Sequence, residues 1–358
     1  MEIAVTGLPG SGKSTVFAAL SGRALSSAEQ PRRGDTPRAV VKVPDARVEA
    51  LAQMFNPRKV TPAEVQYVEA PELTHAGRNT EGWSALLTQL RQADAVLLVV
   101  RAFDEPSYPH PAGSVDVARD VAEMHSELLL ADLITIEKRL ERLDRESRGG
   151  AKPQQAQERQ LLSRCKEQLD KGEPLRGLDL GPAERKLLSG FGFLTLKPLL
   201  MVANTGPEGL GGGTAALASQ AAALRASSLT LDGKLERELV ELAPEEQAEM
   251  LAAFGLDEPA LARAIRASYA LLDLISFFTV GEDEVRAWTV RRGATAPDAA
   301  GVIHSDLQRG FIRAEVVLAA DLLRVGGMQE AKRQGLLRLE GKAYVVQDGD
   351  VLSVLFNV

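Results

Sequence analysis

The sequence GLPGSGKST, from Gly7 to Thr15, follows directly on an apolar run that begins at Ile3. The run predicts a short buried strand, and the residues from Ser14 onward (STVFAALSG) predict a helix. A glycine-rich turn between a strand and a helix points its backbone N–H groups at one anion, and the helix N-terminus adds a partial positive charge. The stretch therefore predicts a phosphate-cradling loop in a nucleotide-binding protein.

The residue types within this loop suit the binding of a triphosphate. Gly7 and Gly12 let the main chain approach the phosphates with no side chain in the way. Lys13 is predicted to reach the β- and γ-phosphates as the catalytic cation, and the Ser14 hydroxyl is predicted to bind Mg²⁺. The predicted nucleotide-binding residues of the loop are Gly7, Leu8, Pro9, Gly10, Ser11, Gly12, Lys13, Ser14 and Thr15.

The composition predicts an intracellular, cytoplasmic protein of two or three domains. Of its 358 residues 45% are hydrophobic, and no apolar run approaches the roughly 20 residues that span a bilayer. The single cysteine, Cys165, excludes an intramolecular disulfide framework, and the four histidines show no zinc-ligand spacing. A formal net charge of −7 argues against general binding of nucleic acid, and we predict no DNA partner, but a local basic face remains compatible with it.

Strand and helix patterns alternate through two parts of the chain. Val65–Val68 predicts a strand, Gly82–Gln92 a helix and Ala95–Val100 (AVLLVV) a fully buried central strand. Two further apolar runs, Pro198–Ala203 and Ser228–Leu231, predict strands later in the chain. This alternation predicts an α/β fold with a doubly wound, mostly parallel sheet.

A charged helical region from about Val115 to Leu188 interrupts the sheet pattern. The residues Arg148–Pro153, with two glycines and a proline, predict a break, and Gln154–Asp170 predicts a second helix after it. Two helices joined by a short breaker predict an antiparallel hairpin. Before the break, apolar residues recur at three- and four-residue steps at Leu128, Leu129, Leu133, Ile136, Leu140 and Leu143.

The two late strands end in polar residues that are candidates for a nucleobase pocket. Asn204 follows the first of them, and Asp232, Gly233 and Lys234 follow the second. In parallel sheets of this type, ligands bind at the carboxyl ends of the strands. A plain strand-end cap and turn is the alternative interpretation, and the spacing alone does not choose between them.

The tail of the chain carries a family resemblance. Together with the loop, the stretches Glu127–Arg139 (ELLLADLITIEKR), Val285–Trp288 and Ala299–Glu315 closely resemble the YchF or Obg-like ATPase family. The resemblance covers nearly the whole chain. It implies a P-loop NTPase domain at 1–114 and 190–272, a helical hairpin at 115–189 and a C-terminal ubiquitin-like β-grasp (TGS) domain at 273–358.

The resemblance also implies a slow ATPase that associates with ribosomes and uses Mg²⁺. Leu73 stands where Ras-like enzymes place a catalytic glutamine, and a leucine cannot orient the attacking water. Glu69 and Glu72 replace the family's Asp and Gly in its DxxG motif, so the metal-linked carboxylate is one methylene longer. Arg33 aligns with the switch threonine, and Thr36 is displaced by a few residues. The implied metal ligands are Ser14, Thr36 and Glu69.

The base motif departs from the family as well. The family's Asn-x-x-Glu reads NTGPEG here, with Asn204 in place, Pro207 at the acidic position and Glu208 one residue later, and Asp232 stands where a serine is usual. The predicted base-pocket residues are therefore Asn204, Glu208, Asp232, Gly233 and Lys234. The resemblance implies ATP as the nucleotide, and GTP is not excluded.

The tail itself holds no catalytic constellation. His304 is interpreted as a structural residue and Trp288 as core packing. Some of the tail's arginines have either RNA phosphates or surface carboxylates as their predicted partners: Arg286, Arg291, Arg292, Arg309 and Arg313.

Two functional hypotheses follow, both for a chain that we predict to be a monomer. The chain is either a slow ATPase, with GTP hydrolysis as a variant, that acts as a switch on the ribosome and its RNA, or a nucleotide-gated binding module that barely hydrolyses its ligand. A metabolic kinase shares the loop, but the tail offers neither a lid nor an acceptor pocket.

Overall fold

The computed structural model describes residues 1–22, 36–71, 81–147, 152–206 and 211–357. The chain divides into two compact units. The first comprises Met1–Ala39 and Gln66–Ala264, and the second comprises Val40–Val65 and Ile265–Val358. Within the described residues, no helix is both long and apolar enough to cross a membrane.

The strands and helices alternate over much of the first unit, as the sequence predicts. The strands are β1 Glu2–Thr6, β2 Arg38–Lys42, β3 Lys59–Thr61, β4 Glu64–Glu69, β5 Ala95–Ala102, β6 Leu199–Thr205, β7 Ser227–Asp232, β8 Leu274–Thr279, β9 Glu284–Arg291, β10 Phe311–Leu318, β11 Arg338–Glu340 and β12 Asp350–Phe356. The helices are α1 Lys13–Ser21, α2 Ala46–Phe55, α3 Glu81–Gln92, α4 Val117–Ser147, α5 Pro153–Asp170, α6 Pro182–Leu188, α7 Gly211–Ala223, α8 Gly233–Glu241, α9 Pro244–Ala253, α10 Ala260–Leu271, α11 Ala296–Ile303, α12 Ser305–Arg309, α13 Ala319–Val325 and α14 Met328–Arg333.

The first sheet has the strand order β2-β4-β1-β5-β6-β7. Its pairs β1–β4, β1–β5, β5–β6 and β6–β7 are all parallel, which confirms the predicted doubly wound fold. Every residue of the central strand β5 is buried, and its first six residues, Ala95–Val100, are all apolar. Because parallel strands end at the same edge, the chain leaves β1, β5, β6 and β7 on one side, where ligands bind in such sheets.

The helical insertion is an antiparallel hairpin of α4 and α5, as predicted. Three ion pairs join the two helices, Arg139–Glu158, Asp144–Arg159 and Glu137–Lys166, and the pair that comes last in α5 comes first in α4. An apolar cluster that includes Ile136, Leu143, Leu161, Leu162 and Leu169 fills the interface.

Cys165 lies inside this cluster and is fully buried. Burial disfavours the thiolate and raises the pKa of Cys165 to about 11. At neutral pH the side chain is therefore a thiol that packs like a small apolar group, which agrees with its interpretation as a bystander.

The second unit contains a sheet of order β11-β10-β12-β8-β9-β3. The antiparallel pairs β8–β9 and β10–β12 meet at a central parallel contact between β12 and β8. Helix α11 packs on this sheet through Ala296, Ala299 and Ala300. Two antiparallel pairs around a central parallel contact form the predicted β-grasp arrangement.

Residues 40–65 belong to this second unit, although the sequence analysis placed them in the nucleotide-binding domain. Strand β3 pairs in parallel with β9, and Arg47 on α2 donates to Asp348 at 2.8 Å. The same guanidinium bonds Asp45 and lies over the Phe278 ring at 5.1 Å. A three-residue strand carries no alternation long enough to reveal such a pairing from sequence.

Candidate nucleotide-binding site

The loop after β1 leads directly into helix α1, which begins at Lys13. Gly12 is the N-cap and has φ = 80°, a left-handed conformation that favours glycine. A Cβ at this position would also lie 2.1 Å from Asn204 Nδ2. Gly12 is thus required both by the backbone and by its neighbour.

Asn204 ties the loop to the turn after β7. Its Nδ2 donates to the Ser11 carbonyl at 3.0 Å, and its Oδ1 accepts from the Gly233 N–H at 2.9 Å. The side chain is 4% exposed, so both bonds are made away from water. The structure thus brings together three residues that the sequence predicts at one site, although Asn204 lies 193 positions after Ser11.

Asp232 caps helix α8. Its Oδ1 accepts from the Lys234 N–H at 2.9 Å and from the Leu235 N–H at 3.3 Å. This is the strand-end cap that the sequence analysis left open as an alternative. A contact between Asp232 and a nucleobase stays a prediction.

Lys234 points its ammonium at the segment that follows β5. Its Nζ lies 3.0 Å from Glu105 Oε2, and the Ser107 hydroxyl donates to Glu105 Oε1 at 2.7 Å. The bond from Ser107 and the ion pair with Lys234 lower the pKa of Glu105 to about 2, so this carboxylate is ionised throughout the neutral range.

Three predicted catalytic and metal-binding residues converge beside the loop. The Ser14 hydroxyl donates to Glu69 Oε1 at 2.6 Å. The Lys13 ammonium lies 3.7 Å from the same oxygen and donates to the Ala70 carbonyl at 2.5 Å. Glu69 is the last residue of β4, the neighbour of β1, so the sheet itself sets this meeting.

The donor set fits Mg²⁺. This small, hard cation takes oxygen ligands and is usually bound by one or two protein groups together with phosphates and water. Ser14 and Glu69 supply a hydroxyl and a carboxylate oxygen on adjacent elements. The described part of the chain contains no group of three or more His, Cys, Asp or Glu side chains that could hold a metal ion.

Thr36, the third predicted metal ligand, is half-buried. Within residues 1–22 and 36–71, no hydrogen bond joins it to Ser14 or Glu69, and its role stays a prediction. Leu73 and Glu208 lie outside the described residues, as do Arg33, Glu72 and Pro207.

Sequence reasoning missed three residues in one wall of the site. A cleft of about 240 Å³ is bounded on one side by the loop and on the other by the predicted Lys234 and by the missed residues Phe103, Glu105 and Tyr108. Tyr108 lies against the loop, since a Cβ built on Gly10 would be 2.9 Å from its ring. The missed residues directly follow the carboxyl end of the central strand β5, and that position was the available signal.

The same segment ends in a buried histidine–aspartate pair. His110 Nε2 lies 2.9 Å from Asp120 Oδ2, and the Ala112 N–H donates to His110 Nδ1 at 3.1 Å. Because Nδ1 accepts, the ring proton is on Nε2 and donates to Asp120. Arg119 bonds the other oxygen of Asp120 at 2.8 Å. The segment after β5 is thereby fixed to the first turns of α4.

The tail arginines are spread over several elements. Arg286 and Arg291 are on β9 and Arg313 is on β10, with β8 and β12 between these strands. Arg292 pairs with Asp273, and Arg309 pairs with Asp306. RNA binding by these side chains stays a prediction.

The interpretations of the tail's His304 and Trp288 agree with their contacts. His304 Nδ1 accepts from the Asp306 N–H at 3.1 Å and caps α12. Trp288 packs against the apolar core of this unit and donates its indole N–H to Thr279 at 2.9 Å. The Arg286 guanidinium lies 3.9 Å from the centre of the Trp288 ring.

A parallel sheet with a glycine-rich strand-to-helix loop, and with a lysine and a serine opening the helix, defines a P-loop NTPase fold. The profile of the YchF-GTPase_C family, described as a protein of unknown function (DUF933), matches residues 274–357. The chain is 39% identical over 361 residues to the "Ribosome-binding ATPase YchF" of Bacillus subtilis (strain 168), covering 99% of this chain and 98% of the relative. It is 38% identical to the protein of the same name from Escherichia coli O157:H7, with the same coverage.

A solved structure agrees with this match. The YchF GTPase of Schizosaccharomyces pombe superposes with a TM-score of 0.87 at 29% identity, over 99% of this chain and 97% of that one. The chain belongs to the YchF family.

Proposed function

We propose that this chain is a ribosome-associated molecular switch that binds ATP with Mg²⁺ at the loop and hydrolyses it slowly. The observation that carries the proposal is the convergence of Lys13, Ser14 and Glu69 at the N-terminus of α1. The names of the bacterial relatives, ribosome-binding ATPases, support both the nucleotide and the partner. A ribosomal partner supports a cytoplasmic location for the protein.

Different residues of the site bind the phosphates and the metal. The loop amides and the Lys13 ammonium hold the phosphates and stabilise the charge that develops on transfer, while Ser14 and Glu69 hold the metal. Bound Mg²⁺ would neutralise charge on the β- and γ-phosphates. Leu73 offers no group to orient water, so hydrolysis is slow.

The residues of the base pocket give less direct support for ATP as the nucleotide than the loop gives for phosphate binding. Asn204 bonds Ser11 and Gly233, so its role is to hold the pocket together. Phe103 and the Glu105–Lys234 pair are left as the groups that face a base within the described cleft. The yeast relative is named a GTPase, so both nucleotides belong in the test.

A nucleotide-gated binding module is the second candidate. The Ser14–Glu69 bond favours it, because the hydroxyl that should bind the metal is already engaged by a carboxylate. If this bond persists with nucleotide bound, Mg²⁺ is poorly held and hydrolysis is lost while binding survives.

Calorimetric titration with ATP and with GTP, each with Mg²⁺, followed by single-turnover hydrolysis, tests both candidates. Lys13→Ala should abolish binding, and Lys138→Ala, an exposed lysine on α4, serves as the control. Phosphate release from bound ATP supports the switch, and tight binding without release supports the module. If the wild-type chain binds neither nucleotide, both proposals fail.

A further inference from the structure

Arg101 is a buried cation beside the phosphate-binding loop. It is the next-to-last residue of β5 and is 1% exposed. Among the residues that the structure describes, no carboxylate oxygen lies within ion-pairing distance of its guanidinium. Burying a charge without a counter-charge is strongly unfavourable, so an arginine here requires an explanation.

The contacts of Arg101 are with neutral groups. Its Nε donates to the Phe103 carbonyl at 3.2 Å, its Nη2 donates to the Tyr108 carbonyl at 2.8 Å, and its guanidinium lies 4.6 Å from the centre of the Phe103 ring. Carbonyls and a ring face stabilise a cation, but they do not neutralise it.

The remaining nitrogen points at the loop. Nη1 has no hydrogen-bond partner among the described residues, and it lies 3.3 Å from the place of a Cβ on Gly10. The cavity under the loop that Arg101 lines with Ser11 and His110 measures about 10 Å³, too small for a ligand of its own. Asp120 lines it too, but its two oxygens are engaged by His110 and Arg119.

We propose that Arg101 is a second cation of the phosphate site, whose counter-charge is the nucleotide polyphosphate on the opposite side of the loop. Lys13 binds the phosphates from within the site, whereas Arg101 acts through the loop backbone at Gly10. This inference rests on the proposed nucleotide binding, and it adds a residue to which no role has been assigned.

If Arg101 acts through its charge, removing the charge should weaken nucleotide binding. If it acts only by holding the loop through its hydrogen bonds, losing the planar donor set should weaken binding instead. Arg101→Gln keeps a hydrogen-bond donor but removes the charge, whereas Arg101→Lys keeps the charge but loses the planar donor set. The proposal expects Arg101→Gln to weaken ATP binding by at least about tenfold, ADP binding by less and adenosine binding not at all, since Coulomb attraction grows with ligand charge. Arg101→Lys should stay within about threefold of the wild type for all three.

Calorimetry on the full chain with ATP, ADP and adenosine measures these ratios, and thermal unfolding of each variant confirms that it is folded. Equal losses in Arg101→Gln and Arg101→Lys, or an equal loss for ATP and adenosine, overturn the proposal. If the wild type binds no nucleotide, the proposed function fails instead.

A measurement on the wild type covers the case in which Arg101→Gln does not fold. The Nε–H resonance of Arg101, assigned by comparison with Arg101→Lys, should shift when inorganic pyrophosphate and Mg²⁺ are added, because the probe carries charge and no base. A resonance that does not move on saturation with pyrophosphate overturns the proposal.

Discussion

The Ser14 hydroxyl donates to Glu69 Oε1 at 2.6 Å, so the first turn of α1 is bonded to the end of β4. The two residues are 55 positions apart and meet because β4 pairs with β1, which leads into the loop. This bond joins the two groups that we propose as metal ligands, and it would have to rearrange for both of them to bind Mg²⁺.

Replacing Glu69 tests that assignment. We expect Glu69→Gln to weaken ATP binding in the presence of Mg²⁺ by about tenfold, because an amide is a poorer ligand for this cation than a carboxylate. Binding in EDTA should be unchanged or tighter, since a negative charge has been removed from beside the phosphates. The measurement is a pair of titrations, and an equal loss with and without Mg²⁺ would contradict the role.

Gly12→Ala should abolish nucleotide binding. The new Cβ would collide with Asn204 and would occupy a left-handed backbone conformation, so the loop must distort. We expect a loss of at least about a hundredfold in affinity by calorimetry.

The chain offers a matched control in Gly22, which ends the same helix. Gly22 is also left-handed, with φ = 65°, but no atom of the described residues lies within 4 Å of its Cβ position. Gly22→Ala should cost about 1 kcal/mol of stability and leave affinity unchanged. Equal losses of affinity in the two variants would show that helix strain, and not the loop, is responsible.

Asn204→Ala should destabilise the first unit as well as weaken binding. It leaves the Ser11 carbonyl and the Gly233 N–H without their buried partner, at a cost of about 1–3 kcal/mol. Urea unfolding measures the loss, and Asn204→Asp, which keeps the acceptor for Gly233 but sets a buried carboxylate oxygen against the Ser11 carbonyl, should lose at least as much stability. Wild-type stability in Asn204→Ala would argue against a stabilising role for the bonds by which Asn204 joins the loop to the turn after β7.

The stability of the chain should fall as the pH drops through the titration of His125. Burial lowers the pKa of this ring below its ordinary 6.5, outweighing the bond that its Nε2 donates to the Gly172 carbonyl. The folded state therefore binds the proton more weakly than the unfolded state. The stabilisation is present above pH 6.5 and is lost as the pH falls below that value.

His125→Gln provides the comparison for this pH effect, because glutamine can donate a similar bond but does not titrate. Urea midpoints between about pH 8 and about pH 5.5 should fall less steeply in the variant than in the wild type. Identical slopes would assign the acid sensitivity to other groups.

The phosphate loop could be predicted because its signal is local. Residues Gly7–Thr15 are contiguous, and an apolar strand and a helix flank them, so a short window of sequence contains the whole feature. The parallel sheet was predictable for the same reason, since AVLLVV is apolar without interruption and forms the buried strand β5.

The rest of the site depends on pairs that are distant in sequence. Asn204 was predicted as a base contact, but its bonds to Ser11 and Gly233 follow only from the order of the strands. Arg101 and Tyr108 belong to no motif, and both lie beside Gly10 because Arg101 is near the end of β5 and Tyr108 is in the segment that follows it. The roles of Leu73 and Glu208 stay predictions, because both residues lie outside the described residues.

The partnership of β3 with β9 has a practical consequence for dissecting this chain. A fragment cut at the limits of the family profile, residues 274–357, would expose β9 as an unpaired edge and would leave Asp348 without Arg47. The complementary fragment, which lacks residues 274–357, would keep α2 and β3 without their partners β9 and Asp348. A truncation at those limits therefore disrupts the structure of both fragments. A loss of function in either fragment would then not show that the missing segment carries that function.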